Sequence, residues 1–557
     1  MTDPASTQTA ATQTMTGGAA IVQALIDHGV DTVFALPGVQ TYPVMDALAQ
    51  NSDKIRTYGA RHEQATAYMA FGYAQATGKV GVYSVVPGPG VLNTMAALCT
   101  AWGTNQPVLC ITGQVPSAFL EGGRGHLHEI PDQQGTVARL CKYTARIEKP
   151  EDAPRIVAEA FQAMLSGRPG PALIEMCWDD MAAESQVTPV APLSPEPLPE
   201  IDADAIARAA DLARKSERPL IMVGSGARHA QAEVLALAEK LNAPVTAFRG
   251  GRGIVPADHP LAMSSYAAWQ LWEETDLVIG IGSRLEMIYM RWLGMNSRIV
   301  EPEAPPHLIR IDVDEAEMER LVPHVPVVAD SQQGTAALLQ ALEKGQAPAA
   351  KDIGRLDRAR ATASQAIAAV QPHVGFLEAI RRALPRSGIF AEELTQAGYA
   401  SFFAWDVFEP RTYITSGFQG NLGYGFMTSL GVKVGRPDVP VLAVTGDGGF
   451  LYGASELSTA VKEQISLITV LFNNNAFGNV RRDQITNFDG RTIASDFANP
   501  DFEVLAKAYG VTYARATDAA ALEEAVKAAL PNTGPTLIEV PVDLATEVNP
   551  WPYILRR

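Results

Sequence analysis

The sequence predicts an α/β protein built from three doubly wound parallel-sheet domains. Short, continuously apolar runs alternate with segments of helical period, which is typical of parallel strands covered by helices on both faces. In VGVYSVVPGPGVLNTMAALCTAW, for example, a strand leads through a glycine–proline turn into a helix. The chain has 557 residues, too many for one core, and three domains of about 150 to 180 residues fit that length.

Breaks in the apolar pattern set the predicted domain boundaries. The polar start and two stretches without apolar period, the first rich in proline, are predicted as a tail and two linkers. The C-terminal residues form a second tail, and whether it closes over a site or packs on a neighbour stays open. The predicted segments are a disordered tail (1–15), the first domain (16–180), a linker (181–203), the middle domain (204–345), a second linker (346–372), the third domain (373–545) and the C-terminal tail (546–557).

Composition excludes several classes of protein. The formal net charge is −17, so a basic footprint for nucleic acid is not expected. No apolar run reaches the length of a transmembrane helix, and the N-terminal residues lack the features of a signal peptide. The four cysteines, at positions 99, 110, 141 and 177, have no metal-ligand spacing and are expected to be reduced thiols. We therefore expect a cytoplasmic protein without nucleic-acid or membrane partners.

Polar residues end two neighbouring strands of the predicted third domain. VPVLAVTGDGGF is a strand that runs into a glycine turn, ASELSTAVKEQ is a helix, and ISLITVLFNNN is the next strand. Asp447 and Asn474 should therefore lie at the carboxyl edge of one parallel sheet, where such sheets bind ligands. Their oxygens suit Mg²⁺, and the glycines at 446, 448 and 449 let backbone and a helix N-terminus approach a phosphate. The pattern predicts a Mg²⁺–diphosphate site.

GDGGF followed by FNNN closely resembles the motif of thiamine diphosphate (ThDP) enzymes. The Asp and the second Asn are 474 − 447 = 27 residues apart, as that motif requires. The resemblance implies that Mg²⁺ is held by Asp447, Asn474 and the main-chain carbonyl of Ala476. It also implies a set of cofactor-binding positions at turns and strand ends: Pro37, Gly38, Glu63, Glu393, Gln396, Leu422, Gly446, Asp447, Gly448, Gly449, Asn474, Ala476, Phe477 and Gly478. Among these, Leu422 in GFQGNLGYG would be the apolar wedge beneath the bent cofactor.

The stretch YGARHEQATAYMAFGYAQATGKVGVYSVVPGPGVLN is similar to the corresponding part of acetolactate synthases and their relatives. This resemblance implies that Glu63 hydrogen-bonds the pyrimidine ring of the cofactor. A glutamate in a partly desolvated site can hold and share a proton in this way. Glu63 and Asp447 fall in different domains, which in that family come from different subunits. The resemblance therefore implies a homodimer with shared active sites, or a dimer of such dimers.

Residues around the substrate depart from the acetolactate synthase pattern. In GSRLEMIYMRW, Arg284 is kept, but Ile288 stands where the family has a second arginine. NVRRDQ, which brings Asn479, Arg482 and Asp483, replaces a run that ends in a tryptophan.

A loop of the first domain departs as well, because Leu127, His128 and Glu129 replace a Phe-Gln-Glu sequence. We predict His128 as a catalytic acid or base, with an exposed loop histidine as the alternative. Gln40, beside the Pro-Gly turn in ALPGVQTYP, stands at a position that faces the substrate in relatives. The resemblance therefore implies a contact with the substrate, with an ordinary turn residue as the alternative.

The sequence predicts a ThDP- and Mg²⁺-dependent lyase or carboligase for 2-keto acids, similar to acetolactate synthase. A simple decarboxylase similar to benzoylformate decarboxylase and an enzyme similar to 2-hydroxyacyl-CoA lyase remain alternatives. A non-catalytic scaffold is disfavoured because Glu63 and the metal ligands are kept. In IMVGSGARHA the third glycine of a dinucleotide fingerprint is replaced by His229, which argues against an oxidoreductase. The sequence favours a middle domain without a bound nucleotide, with bound FAD as the alternative.

Overall fold

The computed structural model describes residues 11–288, 307–344 and 354–555. It contains two compact units, Met1–Glu196 and Pro197–Arg557. No helix in these described ranges has the length and apolar character needed to cross a membrane. All four cysteines are free thiols, as predicted, and Cys110 and Cys177 are buried.

The first unit is built around one parallel sheet. Its strands are β1 (Gln13–Thr16), β2 (Thr32–Ala35), β3 (Arg56–Gly59), β4 (Gly81–Val85), β5 (Val108–Gln114), β6 (Tyr143–Ile147), β7 (Ala172–Cys177) and β8 (Glu184–Val187). Its helices are α1 (Gly17–Asp27), α2 (Tyr42–Gln50), α3 (Glu63–Thr77), α4 (Pro89–Asn93), α5 (Met95–Gly103), α6 (Gln133–Val137), α7 (Ala153–Leu165) and α8 (Trp178–Ala182). Six strands form the sheet in the order β3-β2-β4-β5-β7-β6, with all pairs parallel.

Strands β1 and β8 differ from the predicted boundaries. They pair antiparallel with each other, so that Gln13 lies opposite Val187 and Thr16 opposite Glu184. The end of the predicted tail and part of the predicted linker therefore form a small ladder. Sequence reasoning missed it because both strands have four residues and are mostly polar, without apolar alternation.

The second unit begins with the middle domain. Its elements are α9 (Ala203–Lys215), β9 (Pro219–Val223), α10 (Gln231–Leu241), β10 (Val245–Thr246), β11 (Ala262–Met263), α11 (Ser265–Trp269), β12 (Leu277–Ile281), β13 (Leu308–Asp312), β14 (Val325–Val328), α12 (Ser331–Glu343) and α13 (Gly354–Ile367). The parallel sheet has the order β11-β10-β9-β12-β13-β14. Helix α13 lies in the predicted second linker, whose residues 346–353 fall outside the described ranges.

The third domain completes the second unit. Its elements are α14 (His373–Ala383), β15 (Ile389–Ala391), α15 (Gln396–Ala404), β16 (Tyr413–Ile414), α16 (Tyr424–Gly435), β17 (Val441–Gly446), α17 (Asp447–Phe450), α18 (Leu457–Lys462), β18 (Leu467–Asn473), α19 (Gly478–Asn487), α20 (Phe502–Tyr509), β19 (Thr512–Arg515), α21 (Ala519–Ala529) and β20 (Thr536–Pro541). The sheet order is β16-β15-β17-β18-β20-β19. The predicted class of three parallel-sheet α/β domains is confirmed.

The first and third sheets have the same topology. Numbered within each sheet in chain order, both read 2-1-3-4-6-5, whereas the middle sheet reads 3-2-1-4-5-6. The direction of winding reverses between β2 and β4 in the first sheet and between β15 and β17 in the third. Open parallel sheets bind ligands outside the carboxyl ends of strands at such reversals. The central strands β5 and β17 are almost wholly buried, because helices cover both faces.

Candidate active site

Asp447 is a buried carboxylate at the carboxyl end of β17. Its side chain is 1% exposed; its Oδ1 accepts from Gly448 N at 2.9 Å, and its Oδ2 accepts from Asn499 Nδ2 at 2.7 Å. Burial raises the pKa of this carboxyl above its ordinary value, although the bond from Asn499 opposes the shift. Within the described residues Asp447 has no ion-pair partner. A buried carboxylate without a cationic neighbour fits a bound cation, which would stabilise its ionised form.

The three asparagines after β18 have three different environments. Asn473 donates from Nδ2 to Glu539 Oε1 at 2.7 Å and so ties two strand ends together. Asn474 lines the same pocket as Asp447, and its Oδ1 accepts from Ala476 N at 3.2 Å. Asn475 adopts a left-handed conformation with φ of 55°, which turns the chain sharply. Of the three, Asn474 is the one that lines the pocket together with Asp447.

The glycine turn after β17 differs in part from the prediction. The helix that begins there is the four-residue α17, which starts at Asp447 itself; the predicted helical segment from Ala454 is one 3₁₀ turn followed by α18. A Cβ on Gly448 would lie 2.7 Å from the Phe477 ring, and one on Gly449 would lie 2.5 Å from Glu393 Oε1. Close packing is therefore a second reason for glycine here, beside the predicted approach of a phosphate.

Gln396 has the most informative polar side chain among the other residues that line this pocket. It lies at the start of α15 and is 4% exposed, yet neither its Oε1 nor its Nε2 has a hydrogen-bond partner among the described residues. An unpaired buried amide costs roughly 1 to 3 kcal/mol, so a bound ligand that satisfies it is expected. The N-terminus of α15 also favours an anion. Both features fit the predicted contact between Gln396 and the cofactor.

Glu393 and Leu422 both line this pocket, but in different ways. Glu393 is 1% exposed and accepts from Gly423 N at 2.6 Å and from the Thr445 hydroxyl. Burial raises the pKa of Glu393 from 4.5 to about 7. Leu422 is 37% exposed and precedes Gly423, whose φ is 78°. The structure thus makes Glu393 a support beneath the glycine turn, while Leu422 presents an apolar surface, as expected for a wedge.

The first unit places its predicted residues at the carboxyl edge of its own sheet. Glu63 follows β3 as the first residue of α3, and its Oε2 accepts from Asn93 Nδ2 at 3.0 Å. Its side chain is 16% exposed. Pro37 and Gly38 follow β2, and a Cβ on Gly38 would lie 2.2 Å from Val86 Cγ1. Strands β3 and β2, which precede these residues, are neighbours in the sheet, and the winding reverses between β2 and β4.

His128 and Gln40, which were predicted separately, contact each other. Gln40 Nε2 donates to Leu127 O at 2.9 Å, so its Oε1 faces His128 Nδ1 at 3.0 Å. Since that oxygen only accepts, His128 must donate from Nδ1, which leaves Nε2 to take up or release a proton. His128 has a φ of 68°, and its carbonyl oxygen would lie 2.3 Å from a Cβ on Gly88. A non-glycine residue held in this conformation is typical of functional loops.

Other predicted residues have structural partners. The Glu129 carboxylate accepts from three backbone N–H groups of its own loop, at Gly123, Gly125 and His126. Ile288 is fully buried in the core of the second unit. Arg284 stacks over Phe418 at 4.7 Å. In the middle domain, a Cβ on Gly224 would lie 2.1 Å from the carbonyl oxygen of Gly282, so packing against Gly282 accounts for that glycine of the GSGA turn.

Sequence reasoning missed four residues near the pocket of the third domain. Tyr399, His373 and Glu547 line it, and Asn499 contacts Asp447. No motif marks them, because they reach the pocket from α14, α15, a loop and the C-terminal tail. The polar segment that follows α19 is a weak sequence signal for Asn499. The sequence around Glu547 gives no signal of a place near the pocket.

Comparison with known proteins is consistent with this geometry. Three models of thiamine pyrophosphate enzymes match the chain: the N-terminal binding domain at residues 15–136, the central domain at 206–342 and the C-terminal binding domain at 396–540. The chain is 34% identical to a probable 2-ketoarginine decarboxylase of Pseudomonas aeruginosa, over 95% of this chain and 94% of that protein. It is 31% identical to an acetolactate synthase of Arthrospira platensis, over 96% and 95%. With the large subunit of acetolactate synthase isozyme 2 of Escherichia coli it shares 32%, over 97% of each chain.

Proposed function

Because this chain belongs to the thiamine pyrophosphate enzymes, we propose that it decarboxylates a 2-keto acid with ThDP and Mg²⁺ and releases the product as an aldehyde. The observation that carries the proposal is the pocket of the third domain. There the buried carboxylate of Asp447, the amide of Asn474 and the unpaired amide of Gln396 line one cavity. Such a donor set suits a hard cation and a diphosphate together.

The residues that would hold the cofactor divide by chemistry. Asp447, Asn474 and the carbonyl of Ala476 offer the oxygens for Mg²⁺. Gln396 and the N-terminus of α15 offer hydrogen-bond donors to the phosphates. When bound, ThDP supplies the nucleophilic carbon and accepts the electron pair that decarboxylation leaves behind.

We assign to Glu63 the role of the acid that serves the cofactor ring. Asn93 holds its Oε2, and no described residue occupies its Oε1. A glutamate fixed at one oxygen can hold or release a proton at the other without changing its orientation. Replacing it by glutamine keeps the bond from Asn93 but removes the acid.

We assign to His128 the protonation step that determines which product is formed. Its Nδ1 donates to Gln40, so a proton taken up at Nε2 can be delivered to the carbon that has lost its carboxylate. Protonation of that carbon, followed by loss of the hydroxyl proton and of the bond to the cofactor, would release an aldehyde. Addition to a second keto acid, as in acetolactate synthesis, requires a site for that acceptor.

Acetolactate synthesis is the second candidate, favoured by the names of several relatives. Two observations weigh against it. Ile288, which stands where synthases have a substrate-binding arginine, is fully buried. Asp483 stands where they have a tryptophan. A second 2-keto acid would therefore lose a cationic contact and meet a carboxylate instead.

Asp483 indicates which charge the side chain of the substrate would carry. It lies on α19 one turn after Asn479 and Val480, which line the pocket, and it interacts electrostatically with Tyr399, another lining residue. No described residue forms a hydrogen bond or salt bridge with it. A carboxylate at this position favours a substrate with a positively charged end, such as the 2-ketoarginine for which the Pseudomonas aeruginosa relative is named.

The partner implied by the family is a second copy of this chain. We infer a homodimer in which Glu63 of one protomer serves the Asp447 pocket of the other. Closed twofold assembly of this kind produces two equivalent sites. Size-exclusion chromatography with light scattering would separate a dimer or a tetramer from a monomer, and a monomer with full activity would refute shared sites.

The first experiment is a substrate panel with ThDP and Mg²⁺. It contains 2-ketoarginine, 2-ketoisocaproate, benzoylformate and pyruvate, and both CO₂ and carbon products are followed. Equal amounts of CO₂ and aldehyde are expected from a preferred substrate. Acetolactate from pyruvate would support the second candidate instead, and full turnover by Glu63→Gln would refute the site.

A pair of histidine variants tests the product-forming step. His128→Ala should slow aldehyde release about 100-fold, within the range of general acid catalysis. His126→Ala is the matched control, because His126 lies in the same loop but stacks on Phe119 at a ring distance of 4.3 Å. Equal effects of the two variants would mean that the loop, and not the His128 acid, matters.

A further inference from the structure

We propose that Glu547, in the C-terminal tail, is a positioning residue that orients the Asn474 amide so that its oxygen faces the metal. The inference rests on the proposed function, since it assigns Asn474 to Mg²⁺. It adds a part of the chain that no motif includes. The contact that carries it is the hydrogen bond from Asn474 Nδ2 to Glu547 Oε1 at 3.3 Å.

An asparagine can ligate a metal only in one of its two amide orientations. Turned by 180°, it would present an N–H₂ group, which repels a cation. Two contacts select the productive orientation in this chain. Glu547 can only accept when it is ionised, so it demands the Nδ2 side, and Ala476 N donates to the Oδ1 side at 3.2 Å. The second lone pair of Oδ1 then remains for the cation.

Glu547 is itself held in place. Its side chain is 4% exposed, and its Oε1 also accepts from Nε2 of His373, which is 1% exposed. The adjoining backbone is fixed by a bond from Val548 N to Gln371 O at 3.0 Å. A carboxylate buried between two donors has little freedom to rotate away from Asn474.

The same tail segment fixes a second residue of the pocket. Trp551 donates from Nε1 to Asn479 Oδ1 at 2.8 Å and packs on Tyr399 at a ring distance of 4.8 Å. Asn479 lies in the first turn of α19, which begins directly after the loop that contains Asn474 and Ala476. Residues 547–551 thus hold both the proposed metal ligand and the helix that follows it. Replacing a residue that holds a metal ligand in this way typically lowers the metal affinity about 10- to 100-fold.

The test compares two replacements of Glu547 that differ in one property. Glu547→Met keeps the volume but removes the acceptor, whereas Glu547→Gln keeps an acceptor oxygen for both Asn474 and His373 and removes the charge. The measurement is the Mg²⁺ concentration that gives half-maximal ThDP binding to the full-length protein, by isothermal titration calorimetry without substrate. We expect Glu547→Met to raise this concentration about 10- to 100-fold and Glu547→Gln to stay within about threefold of wild type.

Two further variants guard against a general loss of stability. Glu539→Met removes a similar contact, the one to Asn473, which is outside the proposed ligand set. Its Mg²⁺ requirement should stay close to that of wild type. If Glu547→Met does not fold, Glu547→Ala replaces it, and a smaller increase is expected because water can then reach Asn474.

Three results would overturn the assignment. Wild-type Mg²⁺ dependence in Glu547→Met would show that Asn474 needs no such partner. An equal loss in Glu547→Gln and Glu547→Met would assign the effect to the charge instead of the amide orientation. Absence of Mg²⁺-dependent ThDP binding in the wild-type protein would overturn the proposed function, and this inference with it.

Discussion

Neutralising Glu393 should remove a pH dependence from the stability of the apo-protein. This carboxyl is 1% exposed, and burial raises its pKa from 4.5 to about 7. The folded protein therefore binds the proton more tightly than the unfolded chain, so the stabilisation is fully present below pH 4.5 and is lost as pH rises towards 7. Each pKa unit corresponds to about 1.4 kcal/mol, so the free energy of unfolding should fall by about 3 kcal/mol across this window.

Glu393→Gln tests this reasoning because glutamine keeps the shape. Its oxygen can still accept from Gly423 N, and its amide can donate to the Thr445 hydroxyl. The assay is urea unfolding of the apo-protein at pH 5, 6, 7 and 8, with the variant compared with wild type at each pH. The variant should gain stability relative to wild type as pH rises, by up to about 3 kcal/mol at pH 8.

A control and a refuting result complete the test. Glu503→Gln changes an exposed carboxylate in the first turn of α20 and should leave the pH slope unaltered. Parallel pH profiles of Glu393→Gln and wild type would refute the argument, because they would show that Glu393 is ionised in the fold without cost.

Three other predictions concern the site directly. ThDP and Mg²⁺ should raise the melting temperature only when both are present, and Asp447→Asn should abolish that shift because it removes the anionic ligand; an undiminished shift would exclude Asp447 as a ligand. Co-expressed Glu63→Gln and Asp447→Asn subunits, each inactive alone, should regain roughly a quarter of wild-type activity, since half of the random dimers have one intact site of two; no recovery in mixed dimers would place each site within one chain. Asp483→Asn should lower kcat/KM for 2-ketoarginine about 10- to 100-fold and leave kcat/KM for 2-ketoisocaproate nearly unchanged, and equal losses for both substrates would refute a charge-pairing role.

The sequence predicted those parts of the site that lie directly after a buried strand. Asp447 and Asn474 interrupt apolar runs, and a polar residue at the end of such a run has few structural reasons to be there. Because parallel strands point their carboxyl ends to one edge, the order of elements was enough to bring these residues to an edge. Glu63 and Gln40, which lie several residues beyond the ends of β3 and β2, were instead predicted from the resemblance to acetolactate synthases and their relatives.

The pocket residues that the sequence did not predict lie on elements far apart in the chain. Asn499 comes from a loop after α19, His373 from the start of α14, and Glu547 from beyond the last strand. Each is positioned by tertiary packing, which no local pattern of period or spacing encodes. The β1–β8 ladder was missed for the same reason, since its two strands pair across the whole first domain.

The shared topology of the first and third sheets explains how two different chemistries arise from one arrangement. After the first strand of each sheet come Gln40 and Gln396, and after the next strand of the reversal come Asn93 and Asp447. Under the proposed function, the edge of the first sheet would carry Glu63 for proton transfer, while the edge of the third sheet would carry the oxygen ligands of Mg²⁺. Separation has a physical advantage: a cation that keeps Asp447 ionised would also favour the ionised form of any acid beside it. An acid that must hold a proton is therefore better placed on a different sheet edge from the metal ligands.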